Sequence, residues 1–162
     1  MHRFFLPDLE TLRLSGEEAH HCRDVLRLRA GDEVEVFDGQ GNAVRCRIEA
    51  MTKREVRLCA IERRHTPALP CRVTLAVAVL KRNFDLVVQK ATELGVAAVV
   101  PLVTERTIVR GDRSARWRAV ALEACKQSGN NWLPAVSAPE PLAGFLGVAG
   151  GFDVKLVAAL SP

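Results

Sequence analysis

Lys81 and Arg106 are the side chains whose position in the sequence most invites chemistry. Lys81 opens the polar stretch Lys81-Arg82-Asn83 straight after the apolar run "VTLAVAVL", and Arg106 lies in Thr104-Glu105-Arg106 straight after "VAAVVPLV". Continuous apolar runs of this kind read as strands covered on both faces of a parallel sheet. Ligands of such sheets collect at the carboxyl ends of the strands, and the loops there carry function. A cation held at that edge can stabilise an anion that develops during a reaction. Plain surface charge is the alternative.

Other polar groups form patterns. Asp85, Gln89 and Glu93 recur at i, i+4 and i+8 opposite an apolar stripe, which suits either a solvated face or one wall of a cleft. "RGDRSARWR" sets Arg110, Arg113, Arg116 and Arg118 around Trp117. Arginines bind phosphate through two parallel hydrogen bonds, so such a run can track a nucleic-acid backbone. Trp117 itself reads as core. Arg23, Arg27 and Arg29 follow His20-His21 and give one helix a basic face.

Some chemistries find no support. The five cysteines make no CxxC pair and read as thiols in a reducing compartment. A zinc site joining His20 or His21 to Cys22 lacks a second close-spaced pair, so no metal is expected. The histidines have no nucleophile arrangement beside them, and there is no phosphate-cradling glycine loop. The longest apolar runs are too short to span a bilayer, and the start, "MHRFFLPD", has no export signal, which predicts a cytoplasmic location.

The elements that must position these residues fall into two units. Residues 1–66 read as a small antiparallel β-barrel with one helix. Ser15-Gly16-Glu17-Glu18 has capping-box spacing before a helix through "EEAHHCRDVL". "EVEVF", "AVRCRIEA" and "EVRLCAIE" alternate as half-buried strands, with a turn at Asp38-Gly39-Gln40-Gly41. Residues 67–71, which begin in the proline-bearing "RRHTPALP", form the linker.

Residues 72–162 follow βαβ grammar. The helix through "NFDLVVQKATEL" places Phe84, Val87, Val88, Ala91 and Leu94 at helical spacing and stops at Gly95. A helix over residues 115–128 stops at Gly129, and "FDVKLVAAL" reads as a third parallel strand leading to Ser161-Pro162. A sheet ending on a buried strand is expected to be unfinished. The net charge of +4 lies wholly after residue 70, which favours a polyanionic partner.

"MHRFFLP", "HCRDVLR", "VFDGQG", "QKATELGV" with "VPLVTERT", and "RWRAVALEACKQSG" with a following "LP" together resemble the RsmE family, bacterial 16S ribosomal RNA uridine-N3 methyltransferases. The resemblance implies a PUA-like RNA-binding barrel followed by a SPOUT-type methyltransferase domain. It also implies S-adenosylmethionine as cofactor, 16S RNA of the small ribosomal subunit as partner, a role in ribosome biogenesis, and homodimers. Lys81 and Arg106 become candidates for holding the substrate anion. Arg3, Arg23, Arg27, Gln89, Lys90, Glu93, Arg113, Arg116 and Gln127 become candidate RNA contacts. The family holds its cofactor in a carboxyl-terminal trefoil knot with a "GPEGG"-like loop and an "LRTET"-like segment. Neither is written here, so the chain is expected to be truncated before its knot, with cofactor-binding residues past Pro162 and no activity without them. Asn130 stands where the family commonly has an arginine. The rival reading is a non-enzymatic RNA-binding module.

Overall fold

The computed structural model describes residues 1–108 and 111–158. Arg110 and Ser161-Pro162 lie outside the described residues. The first unit is a curled sheet of five strands: β1 (His2–Phe5), β2 (Arg13–Ser15), β3 (Glu33–Phe37), β4 (Asn42–Met51) and β5 (Glu55–His65). Their order is β1-β3-β4-β5-β2, antiparallel except for the β1–β3 pair. The alternation foreseen for β3, β4 and β5 puts Val34, Val36, Val44, Cys46, Ile48 and Val56 on one buried face with Phe4 and Leu14. Register shifts between Arg45 and Cys46 and between Ile48 and Ala50 bend β4 against β5, as bulges do, and help the sheet curl.

The first helix departs from the expected form. Residues Gly16–His20 are α-helical (α1), but His21–Val25 widen into a π-helical turn, with the Leu26 N–H donating to the His21 carbonyl. Ser15 occupies the N-cap position with extended backbone but makes no side-chain capping bond.

In the second unit, β6 (Thr74–Ala78) pairs in parallel with β7 (Ala98–Val103), with α2 (Phe84–Glu93) crossing between them. Phe84, Val88 and Ala91 are buried, and Gly95 adopts φ +82° just after the helix, a left-handed conformation glycine enters at little cost. α3 (Ser114–Ser128) packs beside α2, and Trp117 is core: its ring lies 4.6 Å from that of Phe84, and the residue is 2% exposed. Each residue of β6 is half-buried rather than sealed.

The third parallel strand is not the one foreseen. Two short strands, β8 (Ala135–Val136) and β9 (Glu140–Pro141), pair with the other side of β7. Residues 152–158 form no strand, and Val154, Leu156 and Val157 are exposed. Apolar sequence signals a tendency to be covered, but β7 already has neighbours on both sides. Between β9 and this run lies α4 (Leu142–Val148), which has no buried residue. Among the described residues, no helix is long and apolar enough to cross a membrane.

Candidate functional site

The carboxyl edge of the parallel sheet carries a row of three clefts. The first, of about 480 Å³, lies where β6 runs into α2 and is lined by Lys81, Arg82, Asn83, Asp85, Arg113 and Arg116 over a floor of Val79 and Trp117. The chain turns there through Asn83, whose φ of +65° lies in the left-handed region that asparagine tolerates better than most residues. A second, of about 560 Å³, lies past β7, where Thr104, Glu105 and Arg106 face Leu142 and Leu146 of α4. Between them a third, of about 440 Å³, shares Val79 and Trp117 with the first and Val103 with the second.

Lys81 and Arg106 therefore share the edge but line neighbouring clefts. The loop bearing Arg106 is tied off below its tip. The Thr104 N–H donates to Thr107 Oγ1 at 2.9 Å, and the Thr107 N–H donates back to the Thr104 carbonyl at 3.0 Å. Glu105 and Arg106 are left exposed at the tip.

α3 begins beside the first cleft. Its first N–H, from Ser114, donates to Asp112 Oδ1 at 2.7 Å, and this bond holds the Asp112 carboxyl below its usual range. Arg113 and Arg116 project from the same start, but their states differ. Arg116 donates twice to Asp85 Oδ2, at 2.5 and 2.9 Å, whereas Lys81, Arg82 and Arg113 have no side-chain hydrogen-bond or ion-pair partner among the described residues. Sequence reasoning singled out Lys81 but not Arg82; adjacency in one turn was the available signal.

Gln89 and Gln127 line opposite walls of a groove of about 400 Å³ between α2 and α3, with Arg116 at its end. Gln89 also donates to Glu93 Oε1 at 2.9 Å, and Lys90 binds Glu93 Oε2 at 2.7 Å. Lys90 first, then Gln89, holds the Glu93 carboxyl below its usual range. These three form one neutralised cluster rather than three separate contacts.

The basic helix of the first unit is partly engaged. Arg23 pairs with Asp24 at 2.5 Å and donates to the carbonyls of Thr52 and Lys53. Arg27 is exposed and leaves the helix at φ +54°. Cys22 is buried, and burial pushes its thiol up to about 11. Among the described residues no cluster of three or more metal-binding side chains occurs.

Arg3 is placed where sequence reasoning did not put it. Its side chain is 8% exposed, and its guanidinium pairs with Glu35 at 2.6 Å and lies over the Phe37 ring at 4.5 Å. It also donates to the Cys125 carbonyl at 2.6 Å and to Asn131 Oδ1. So engaged, Arg3 joins the two units, each of its three guanidinium nitrogens donating within the protein. Lys126 makes a second tie, to Glu18 at 2.5 Å. Burial alone would lower its ammonium pKa, but the bonds to Glu18 and Glu123 outweigh that and raise it. Asn130 donates to the Thr92 carbonyl at 3.1 Å and accepts from the Trp132 N–H, fastening the loop after α3 to the end of α2.

Comparison with known proteins bears directly on these two units. Residues 67–161 match the family model of an RNA methyltransferase domain, and residues 14–58 match that of an RNA methyltransferase PUA domain. The chain is 36% identical over 132 residues to ribosomal RNA small subunit methyltransferase E of Synechocystis, covering 80% of this chain and 43% of that protein. It is 30% identical over 151 residues to the Bacillus subtilis protein of the same name, covering 84% and 59%. The chain thus spans about half the length of the curated relatives it matches. A solved ribosomal RNA small subunit methyltransferase E from Neisseria gonorrhoeae, bound to S-adenosyl methionine, superposes with a TM-score of 0.79 at 32% identity, covering 90% of this chain and 64% of that one. With the RNA methyltransferase model matching more than half of its residues, the chain belongs to the RNA methyltransferase family.

Proposed function

We propose that this chain is the RNA-holding part of an S-adenosylmethionine-dependent methyltransferase that modifies uridine N3 in 16S RNA of the small ribosomal subunit. The carrying observation is the row of clefts at the carboxyl edge of the parallel sheet, inside the segment that matches an RNA methyltransferase domain. In this reading residues 1–66 grip RNA, 67–71 link, and 72–162 present the target. The protein acts as a homodimer in the cytoplasm during ribosome biogenesis.

The Arg106 cleft suits a base turned out of its helix. Leu142 and Leu146 offer apolar walls for a flat ring, and Arg106 offers a planar donor for its oxygens. Uracil N3 carries a proton and is a poor nucleophile until that proton leaves. A cation at O2 or O4 stabilises the resulting anion, which lowers the barrier most when the donor is already in place. Bound S-adenosylmethionine would supply the methyl group from its sulfonium. The cluster of Lys81, Arg82 and Arg113 does not fit a sulfonium, because like charges repel, and no described residue is assigned to the cofactor.

The test is transfer of labelled methyl from S-adenosylmethionine to small-subunit particles by the protein expressed from its whole gene. Digestion to nucleosides and mass spectrometry should find the label in N3-methyluridine. Label confined to another nucleoside would overturn the reaction assigned here.

A further inference from the structure

The cleft of Lys81 and Arg113 has properties that the Arg106 cleft lacks. Three cations, Lys81, Arg82 and Arg113, line it without a side-chain partner among the described residues, and the one acid in its wall, Asp85, is engaged by Arg116. Unpaired like charges gathered in a concavity repel one another. Such a cluster lowers its energy when an anion with several acceptor oxygens enters. Its walls include the starts of both α2 and α3, whose partial positive charge adds to the same field. Arg116 also borders the groove between α2 and α3 that Gln89 and Gln127 line, so cleft and groove meet at this one side chain.

We propose that Lys81, Arg82 and Arg113 form a phosphodiester seat for single-stranded RNA, with Asp85 holding Arg116 as a latch between this seat and the amide-lined groove. Resting on the function proposed above, the seat makes Lys81 an anchor for the backbone rather than a partner of the reacting base. A phosphate entering the seat competes with Asp85 for Arg116. Once released, Arg116 can follow the backbone into the groove, where the Gln89 and Gln127 amides can read the edge of the next nucleotide as donors and acceptors. Duplex RNA holds its base edges inside the helix and would leave those amides unused.

Two variants of opposite effect test this in the 162-residue chain, with fluorescein-labelled octauridylate as probe and anisotropy as readout. The paired variant Lys81→Gln with Arg113→Gln should bind at least about tenfold more weakly near 0.1 M salt. Its plot of log affinity against log salt should flatten by about 1.4, roughly 0.7 for each phosphate of a single strand that no longer meets a cation. Asp85→Asn should do the reverse and tighten binding several-fold, because it frees Arg116. Asp153→Asn, which removes an exposed acid that lines neither the cleft nor the groove, should leave binding unchanged. Circular dichroism establishes that each variant is folded, as expected for exposed or half-exposed positions. If the parent binds octauridylate but the paired variant keeps its salt slope, or if Asp85→Asn behaves like Asp153→Asn, the seat falls while RNA binding stands. A parent chain that fails to bind octauridylate would overturn both.

Discussion

Arg3 and Asn131 stand 128 positions apart in sequence, yet the guanidinium of the first donates to the side-chain carbonyl of the second. The bond crosses from β1 of the curled sheet to the loop that follows α3. Two backbone bonds run beside it, from the Gly41 N–H to the Asn131 carbonyl and from the Leu133 N–H to the Gly39 carbonyl. Gly41 is at φ +93°, and a Cβ there would lie 2.7 Å from both the Thr66 carbonyl oxygen and the Trp132 ring. The joint is thus built from close backbone approach and one buried cation. Its fixed geometry sets how RNA on one unit would meet the clefts of the other.

Loss of Arg3 should therefore appear in stability rather than in RNA affinity. Arg3→Ala leaves the Glu35 carboxylate, 14% exposed, without its partner, and breaking a buried pair from one side costs about 3 kcal/mol. Urea unfolding should show a loss of that size in unfolding free energy, while the salt slope for octauridylate stays at the parent value. A flattened slope with unchanged stability would return Arg3 to the RNA surface.

Acid should weaken the start of α3 through Asp112. The Ser114 backbone N–H, and next the Ser114 side chain, lower its folded pKa below the usual 3.8. A carboxyl lowered on folding contributes stability in full above its unfolded value and loses it as pH falls through the folded one. Thermal melts of parent and Asp112→Ala should differ by a constant amount from pH 7 to about 4 and converge below that. A gap that widens in acid would contradict the cap.

The parts of this fold that local rules decide were readable in the residues. Phe84, Val88 and Ala91 declare their buried stripe, Gly95 and Gly129 end their helices, and both buried runs became β6 and β7 with Lys81 and Arg106 just past their carboxyl ends. What distant partners decide was not readable. β1 shows no clear alternation and is a strand because β3 pairs with it, and the role of Arg3 depends on residues 35, 125 and 131. The run "FDVKLVAAL" misled because hydrophobicity reports a need for cover but not where the cover comes from. The separation of Lys81 from Arg106 into two clefts was equally hidden, since α4 walls one of them and its unburied apolar sequence gives no sign of where it packs.

If the cleft past β7 holds the uridine anion, Arg106 is the side chain that must stabilise it. A role at the reacting base and a role at the phosphate separate in kinetics. Arg106→Ala should lower single-turnover methylation of small-subunit particles roughly a hundredfold at saturating S-adenosylmethionine and RNA, the size seen when one oxyanion donor is removed. Arg106→Lys should recover little of it, because it keeps the charge and loses the planar fork. Lys81→Ala should instead weaken RNA affinity and leave the saturated rate near that of the parent, as loss of uniform binding does. The decisive measurement is the saturated single-turnover rate of Arg106→Ala, made with protein expressed from its whole gene and shown to be folded. That rate should fall by about two orders of magnitude; a parental rate would return Arg106 to the solvated surface.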